Sequence, residues 1–186
     1  MLIKKGRTRI VFAVILTACL SLVIPFVGIR AIAQAYGVAC SYAHASSGAL
    51  LPDPRCTPGS VFTGATMQEI CTPGYTRRVR NVSSATKRAI YAEYGIYHHT
   101  AGSYEIDHLV PLEVAGSNSR QNLWPQPATP PYGFHAKDGL EDYLHEQVCR
   151  GQESLPKAQY EIAHNWYTTW VKDGRPMPSD FGYSNS

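Results

Sequence analysis

The segment at 104–126, which reads YEIDHLVPLEVAGSNSRQNLWPQ, constrains the fold of this chain more than any other stretch. Two short apolar runs flank the Gly-Ser-Asn sequence at 116–118, and glycine and asparagine tolerate the positive φ angles of tight turns. Pro111 interrupts the first run, because a proline has no backbone N–H to donate to a partner strand. The segment therefore predicts a β-hairpin whose first strand ends close to Asp107 and His108.

The Asp107–His108 pair combines two chemical functions at neighbouring positions. An aspartate supplies a hard oxygen ligand for a divalent cation, and a histidine can accept a proton from water near neutral pH. Neighbours in a strand point to opposite faces, so both side chains can serve one site only where the strand ends. Asn122, on the return strand, is predicted to face His108 and to fix loop backbone groups. Metal-assisted hydrolysis of a phosphodiester requires this combination of groups.

Helical patterns surround the hairpin. They predict a short helix within 61–69, a helix from Ser83 or Ser84 to Tyr94 ended by Gly95, one at 136–150 closed by Gly151, and one at 155–171 capped by Ser154. The last helix carries apolar residues at helical spacing, which predicts a core-facing stripe of Leu155, Ala158, Ile162, Trp166 and Trp170. These elements predict an α+β fold.

The ordered set of Asp107–His108, then Asn122, then His135 at the start of a helix resembles the HNH, or ββα-metal, endonuclease superfamily. More narrowly, the sequence is similar to small exported bacterial proteins described as HNH endonuclease-like. The segments that carry this similarity are DPRCTPG, ICTPGYTRRVR, EIDHLVPLEVAG, NLWPQ and HAKDGLEDYLHEQVC, which together span about 53–170. The resemblance implies a ββα-metal core, formed by a β-hairpin and a helix, with additional flanking helices.

The resemblance also implies a role for each residue of the ordered set. Asp107 and His135 would be metal ligands, His108 the general base, and Asn122 the residue that orders the loop. The metal would bind the scissile phosphate and offset the charge that develops during hydrolysis. The implied substrate is DNA, with RNA as an alternative, because no selectivity for the 2'-hydroxyl is written in the sequence. No segment shows an evident set of base-reading residues, so a weak sequence preference or none is expected.

The helix after His135 departs from one superfamily pattern. Some members place a second histidine four residues later, where this chain has Gly139. Asp138 shares the helical face of His135 and could be a third ligand, but the preferred role, as for Glu141, is to contact the ligands rather than the metal. One carboxylate and one imidazole leave positions for water and phosphate, which favours a single Mg²⁺ or Mn²⁺ ion, with Zn²⁺ or Ni²⁺ as alternatives.

A cluster of cations precedes the hairpin. Within twelve residues it contains Arg77, Arg78, Arg80, Lys87 and Arg88, which are predicted to contact backbone phosphates, a solvated face being the alternative. The remainder of the chain is not uniformly basic. Five of the 17 Lys and Arg lie in residues 1–35, which leaves 12 against 14 Asp and Glu.

The N-terminus has the pattern of an export signal. Basic residues precede an apolar run at 10–29 and small residues follow at 33–35, which predicts a signal peptide over 1–35, with an uncleaved membrane anchor as the alternative. The remaining chain is divided into a flexible arm at 36–52, a nuclease-like domain at 53–173 and a tail at 174–186. This pattern predicts a secreted or periplasmic protein. A role as a toxin would require a partner immunity protein, which this sequence does not reveal.

Cysteine usage supports export. Apart from Cys19 in the apolar run, the chain has four cysteines, and an even number in a small exported chain predicts two disulfides. Of the three pairings, the preferred one joins Cys71 to Cys149 and Cys40 to Cys56.

Two alternatives from other classes remain open at the sequence level. One is a catalytically inactive envelope module that binds nucleic acid or metal, and the other is a structural surface protein stapled by disulfides. The remaining histidines are interpreted as incidental: His44, His98, His99, His145 and His164.

Overall fold

The computed structural model describes residues 39–129 and 132–176, so the predicted signal segment and most of the predicted tail lie outside the described residues. The described part is an α+β structure with two small antiparallel sheets, which confirms the predicted class. Its elements are β1 (Ala43–His44), β2 (Leu50–Leu51), α1 (Met67–Ile70), α2 (Tyr75–Val79), α3 (Ser84–Glu93), β3 (Tyr104–His108), β4 (Leu123–Pro127), α4 (Phe134–Cys149) and α5 (Leu155–Lys172).

The hairpin predicted from the 104–126 segment is formed by β3 and β4. The strands pair antiparallel, with Tyr104 opposite Pro127 and His108 opposite Leu123. Their connection is longer than the predicted tight turn, because residues 109–122 form a loop with two short 3₁₀ helices. Gly116 is required in this loop, since a Cβ atom there would lie 1.7 Å from the Val110 carbonyl oxygen.

The predicted helix boundaries are close to those observed for α3 and α4. The Ser83 hydroxyl accepts a hydrogen bond from the Thr86 N–H, and Gly95 follows α3 with φ of 72°. Gly151 follows α4 with φ of 70°, a left-handed conformation that glycine adopts without a Cβ penalty.

Two helical predictions need correction. The short helix expected within 61–69 begins later, at Met67, where Thr66 and Glu69 form a reciprocal capping box. Ser154 stands at the N-cap position of α5, but its side chain makes no cap hydrogen bond, and a proline in the first turn fits the start of the helix instead.

The core lies between α4, α5 and the loop after β3. The stripe predicted on α5 is part of this core, because Ile162 and Trp166 are fully buried and Trp170 is nearly so. They pack in one cluster with Leu140 of α4 and with Trp124 of β4. Burial of each such side chain stabilises the fold by about 1.5–3 kcal/mol, and this packing fixes α4 beside the end of β3.

Two disulfides join segments that are distant in sequence. They are Cys40–Cys56 and Cys71–Cys149, which confirms the preferred pairing. Cys71 follows α1 and Cys149 ends α4, so the second bond fastens the N-terminal helices to the helix beside the hairpin. Disulfides persist in oxidising compartments, and both bonds fit an extracytoplasmic protein. Over the described ranges, the structure has no helix with the length and apolar character needed to cross a membrane.

The segment expected as a flexible arm contains the β1–β2 hairpin in its described part, from residue 39. The Tyr42 hydroxyl donates to the Pro125 carbonyl at 2.6 Å, and the Trp166 indole N–H donates to the Leu50 carbonyl at 3.2 Å. These contacts join the segment to β4 and α5. Because both elements are distant in sequence, the local sequence pattern does not predict the contacts.

Asp53 fixes the end of this segment. Its carboxylate accepts hydrogen bonds from the Ser41 N–H at 2.8 Å, from the Arg55 N–H at 2.9 Å and from the Arg55 guanidinium. The hydrogen bonds from Arg55, and then that from Ser41, hold the pKa of Asp53 well below its usual value despite the opposing effect of burial.

We expect Asp53→Asn to lower the free energy of unfolding at pH 7 by about 1.5–3 kcal/mol, because it removes hydrogen bonds to a charged acceptor. A carboxyl whose pKa is lower in the folded state contributes stability above its unfolded pKa, and that contribution is lost as the pH falls towards the folded pKa. The difference from wild type should therefore shrink below about pH 4. Urea unfolding at several pH values measures this, and equal losses at pH 7 and about pH 2.5 would contradict it.

Candidate functional site

The end of β3 and the beginning of α4 meet at a buried lysine. Lys137 Nζ lies 2.7 Å from Asp107 Oδ2, donates to the His108 carbonyl at 2.7 Å and also contacts the Glu141 carboxylate. The lysine side chain is 1% exposed, and those of Asp107 and Glu141 are 11% and 13% exposed. The structure thus brings the predicted residues Asp107, His108 and Glu141 together around a cation from the chain itself.

His108 is held in one tautomer by Asn118. The ring Nε2 lies 3.1 Å from Asn118 Oδ1, and the same oxygen accepts from the Asn81 N–H at 3.1 Å. The Asn118 amide nitrogen donates to the Val79 carbonyl at 2.7 Å, which fixes which end of the amide faces the histidine. Since Asn118 Oδ1 can only accept, His108 Nε2 carries the proton and Nδ1 has the lone pair of a base.

The surroundings of His108 favour its neutral form. The side chain is buried, and burial lowers the pKa of His108 below its usual value. The positive charges of Arg80 and Lys137 act in the same direction, whereas Asp107 and the hydrogen bond to Asn118 oppose them. A neutral imidazole near neutral pH is the form that can accept a proton.

Asn122 ties the two ends of the 109–122 loop together. Its Oδ1 accepts from the Val110 N–H at 2.9 Å, and its Nδ2 donates to the carbonyls of Val110 and Ser117 at 2.8 and 2.9 Å. The residue is fully buried, so these bonds are shielded from competition by water. Asn122 therefore orders the backbone directly after His108 rather than contacting the imidazole.

Carboxylates from β3 and α4 surround the lysine. Glu105 and Asp107 lie two residues apart in β3 and share one face of the strand. Asp138 and Glu141 of α4 are near these residues, since Asp138 affects the pKa of Glu105 and Glu141 shares Lys137 with Asp107. Burial raises the pKa of Glu105 to about 7, with further contributions from Asp107 and Asp138. Burial and the charge of Asp107 raise the pKa of Asp138 to about 6. Four carboxyl groups thus surround one ammonium group, and the raised pKa values of Glu105 and Asp138 favour their neutral forms.

Burial and neighbouring charges also shift the pKa values of Lys137 and Glu141. Burial raises the pKa of Glu141 above its usual value. Burial alone would lower the pKa of Lys137, but the neighbouring charges of Asp107 and Glu141 outweigh it and raise that pKa. Lys137 is therefore a permanent cation of the site.

His135, the second predicted metal ligand, begins α4 beside this cluster. Its Nδ1 lies 3.5 Å from Asp138 Oδ2, and both side chains are about two-fifths exposed. Carboxyl oxygens and an imidazole nitrogen are donor types that a divalent cation accepts. Contact with Lys137 through Oδ2 leaves Asp107 Oδ1 as a second oxygen for such an ion.

One group of three potential ligands is already close together, but elsewhere. Among the described residues, only the Sγ atoms of Cys71 and Cys149 and a ring nitrogen of His145 lie within 4.8 Å of one another as a set of three or more. This group could hold a metal ion. Because the ligand form of cysteine is the thiolate, it could do so only after reduction of the Cys71–Cys149 disulfide.

The five predicted phosphate-binding cations are all exposed, on α2, α3 and the segment between them. Arg80 is near the candidate site, because its charge affects the pKa of both Glu105 and His108. Asn118 binds the backbone on either side of Arg80, at Val79 and Asn81. The same amide that orients the imidazole therefore also fixes the segment that carries the nearest cation.

Sequence reasoning missed three residues of this site. The alternation of Glu105 with Asp107 in one strand, and the spacing of four between Lys137 and Glu141 in one helix, were both visible signals. Asn118 was interpreted only as a turn residue, and its contact with His108 depends on the path of a fourteen-residue loop at 109–122.

Comparison of the chain with protein-family models, with curated proteins and with solved structures gives no match. The functional interpretation therefore rests on the residues and their geometry.

Proposed function

We propose that this protein is an exported, metal-dependent HNH-type endonuclease that hydrolyses phosphodiester bonds of DNA, with RNA as an alternative substrate. The observation that carries the proposal is the buried His108, whose Nε2 proton is fixed by Asn118 close to Asp107 and the other carboxyl groups of β3 and α4. The antiparallel β3–β4 hairpin followed by α4 supplies the strand, strand and helix order of a ββα-metal core. Two disulfides support export.

His108 acts as the general base in this proposal. Its Nδ1 accepts a proton from water, and the water oxygen forms a bond to phosphorus. The bond between phosphorus and the bridging ester oxygen breaks, and that oxygen leaves and takes a proton from solvent. The resulting imidazolium is stabilised by Asp107, whose charge favours the protonated ring, and by the hydrogen bond to Asn118. Asn122 keeps the adjacent backbone in place, so the imidazole does not have to be ordered during the reaction.

A single Mg²⁺ or Mn²⁺ ion would be held by Asp107 and His135, with Glu105 and Asp138 nearby to complete the negative environment. When bound, the ion would supply charge to the phosphate and to the departing oxygen. Arg80 and the other exposed cations of the cluster would hold neighbouring phosphates, a contribution that weakens as salt increases.

A catalytically inactive binding module is the alternative, and one observation favours it. The ammonium group of Lys137 already forms ion pairs with Asp107 and Glu141. It would therefore occupy the place of a metal ion instead of lying beside one. In that case the fold would bind nucleic acid through its cations and would not cleave it.

Digestion of supercoiled plasmid by the oxidised, exported protein separates these proposals. We expect nicking and linearisation in Mg²⁺ or Mn²⁺ and none in EDTA, because the phosphate charge is then not offset. Isothermal titration of the same protein with Mn²⁺ should show saturable binding that Asp107→Asn weakens. Uncut plasmid under all metal conditions, with plasmid binding retained, would overturn the enzymatic proposal in favour of the inactive module.

A further inference from the structure

A groove of about 290 Å³ lies at the C-terminal end of α3 and contains neither His108 nor the carboxyl groups around Lys137. Its lining residues are Arg88, Tyr91, Ala92, Ile96, Tyr97 and His99. The lining thus combines three aromatic rings with a guanidinium group. Rings and guanidinium planes are the surfaces on which nucleic-acid bases stack.

The rings are arranged as an open platform. The rings of Tyr91 and His99 have centroids 4.5 Å apart and planes inclined by 33°. His99 also meets the edge of Tyr104 at 6.0 Å, which supports the platform from the side of β3. Tyr97 is 73% exposed, so its ring is accessible to a ligand from solvent.

The groove adjoins the candidate site. The Tyr91 hydroxyl donates to the Tyr104 carbonyl at 3.4 Å, and Tyr104 is the residue before Glu105. Burial raises the pKa of Tyr91, and the charge of Glu105 adds to that effect, so the two side chains are close. Asp107 follows Tyr104 by three residues, about 10 Å along the strand.

The charge of the groove also suits a polyanion. Arg88 lines it, and Lys87 precedes Arg88 on the exposed surface of α3. A chain of phosphates bound at these cations would pass from α3 towards Arg80 and the end of β3, with its bases beside the rings. A base inside a duplex has both faces already stacked, so a single strand is the form that can use such a platform.

We propose that the groove formed by Arg88, Tyr91, Tyr97 and His99 is a base-stacking subsite for single-stranded nucleic acid. This inference rests on the proposed function and names its substrate form. The subsite binds one or more unpaired bases without reading their hydrogen-bonding edges, and it places the adjoining phosphates at the carboxylate site.

Tyr97→Ala tests the inference in EDTA, where binding is separated from cleavage. The probes are a fluorescein-labelled oligo-dT and an abasic oligonucleotide of the same length and charge, titrated by fluorescence anisotropy. We expect Tyr97→Ala to weaken oligo-dT binding by about 5- to 100-fold, the usual effect of removing one base-stacking ring. Binding of the abasic probe should change little, because its phosphates still meet Arg88 and Lys87.

Tyr160→Ala is the matched control. Tyr160 is also exposed, at 60%, and its ring lies 3.7 Å from that of His164, but it is on α5 and does not line the groove. Equal affinity of Tyr97→Ala and wild type for oligo-dT would overturn the subsite, as would equal affinity of wild type for the two probes. Plasmid cleavage with Mn²⁺ is measured separately. If the wild-type protein cleaves plasmid but binds oligo-dT no more tightly than the abasic probe, the subsite is rejected and the nuclease proposal stands. If it prefers oligo-dT but does not cleave plasmid, the subsite stands and the nuclease proposal is rejected.

Discussion

His108→Ala is expected to reduce plasmid cleavage by about 10²–10⁴-fold, the usual contribution of a positioned general base. The residue is 3% exposed, and its Nε2 proton is donated to Asn118, so the proposed mechanism makes Nδ1 the proton acceptor that the substitution removes. Burial keeps the pKa of His108 low, and the wild-type rate should therefore fall only as the pH drops below neutrality. Initial rates of supercoiled plasmid loss, with saturating Mn²⁺, measure the effect.

The control for this substitution is His164→Ala. His164 is an exposed histidine on α5 whose Nδ1 lies 3.0 Å from the Tyr160 carbonyl, and its removal should leave cleavage unchanged. Because His108 is buried, unfolding midpoints of both variants are needed to show that the proteins are folded under assay conditions. Cleavage at the wild-type rate by folded His108→Ala protein would reject the assignment of the base.

Local sequence pattern was sufficient for the elements that carry the site. The apolar runs and prolines of 104–126 predicted the β3–β4 hairpin, and the periodic residues up to Gly151 predicted α4. Both signals depend on only a few neighbouring residues, so they predict the elements without knowledge of the tertiary structure. The aromatic stripe of α5 was equally legible, because helical spacing alone places Ile162 and Trp166 on one face.

The features that sequence could not supply depend on contacts between distant segments. A lysine is almost never fully buried unless it is paired, so the sequence pattern alone predicts that Lys137 is on the surface. Its ion pairs with Asp107 and Glu141 form because α4 packs beside β3. The pairing of β1 with β2 likewise depends on β4 and α5, which cover the segment expected as an arm. Cysteine count limited the disulfides to three pairings without deciding between them.

Lys137→Met is expected to lower the free energy of unfolding at pH 7 by about 3–5 kcal/mol, the usual cost of removing one partner of a buried ion pair. Methionine keeps most of the volume, so the loss reports on charge rather than on packing. Asp107 and Glu141 remain largely buried without their cation, and the His108 carbonyl loses a donor. Urea unfolding in EDTA measures the loss, and a change below about 1 kcal/mol would contradict the role of the lysine.

Lys157→Met provides the comparison for this result. Lys157 pairs with Glu153 and Glu161 at the same helical spacing but is 53% exposed, so water already screens its charge and its loss should have little effect on stability.

The effect of Mn²⁺ on stability distinguishes the two functional proposals. If the carboxylates bind a divalent ion, Mn²⁺ should recover part of the stability lost in Lys137→Met, since a ligand that binds only the folded state stabilises it. If the ammonium group of Lys137 instead takes the place of a metal ion, Mn²⁺ should not stabilise the wild-type protein, and the wild-type protein should not cleave plasmid.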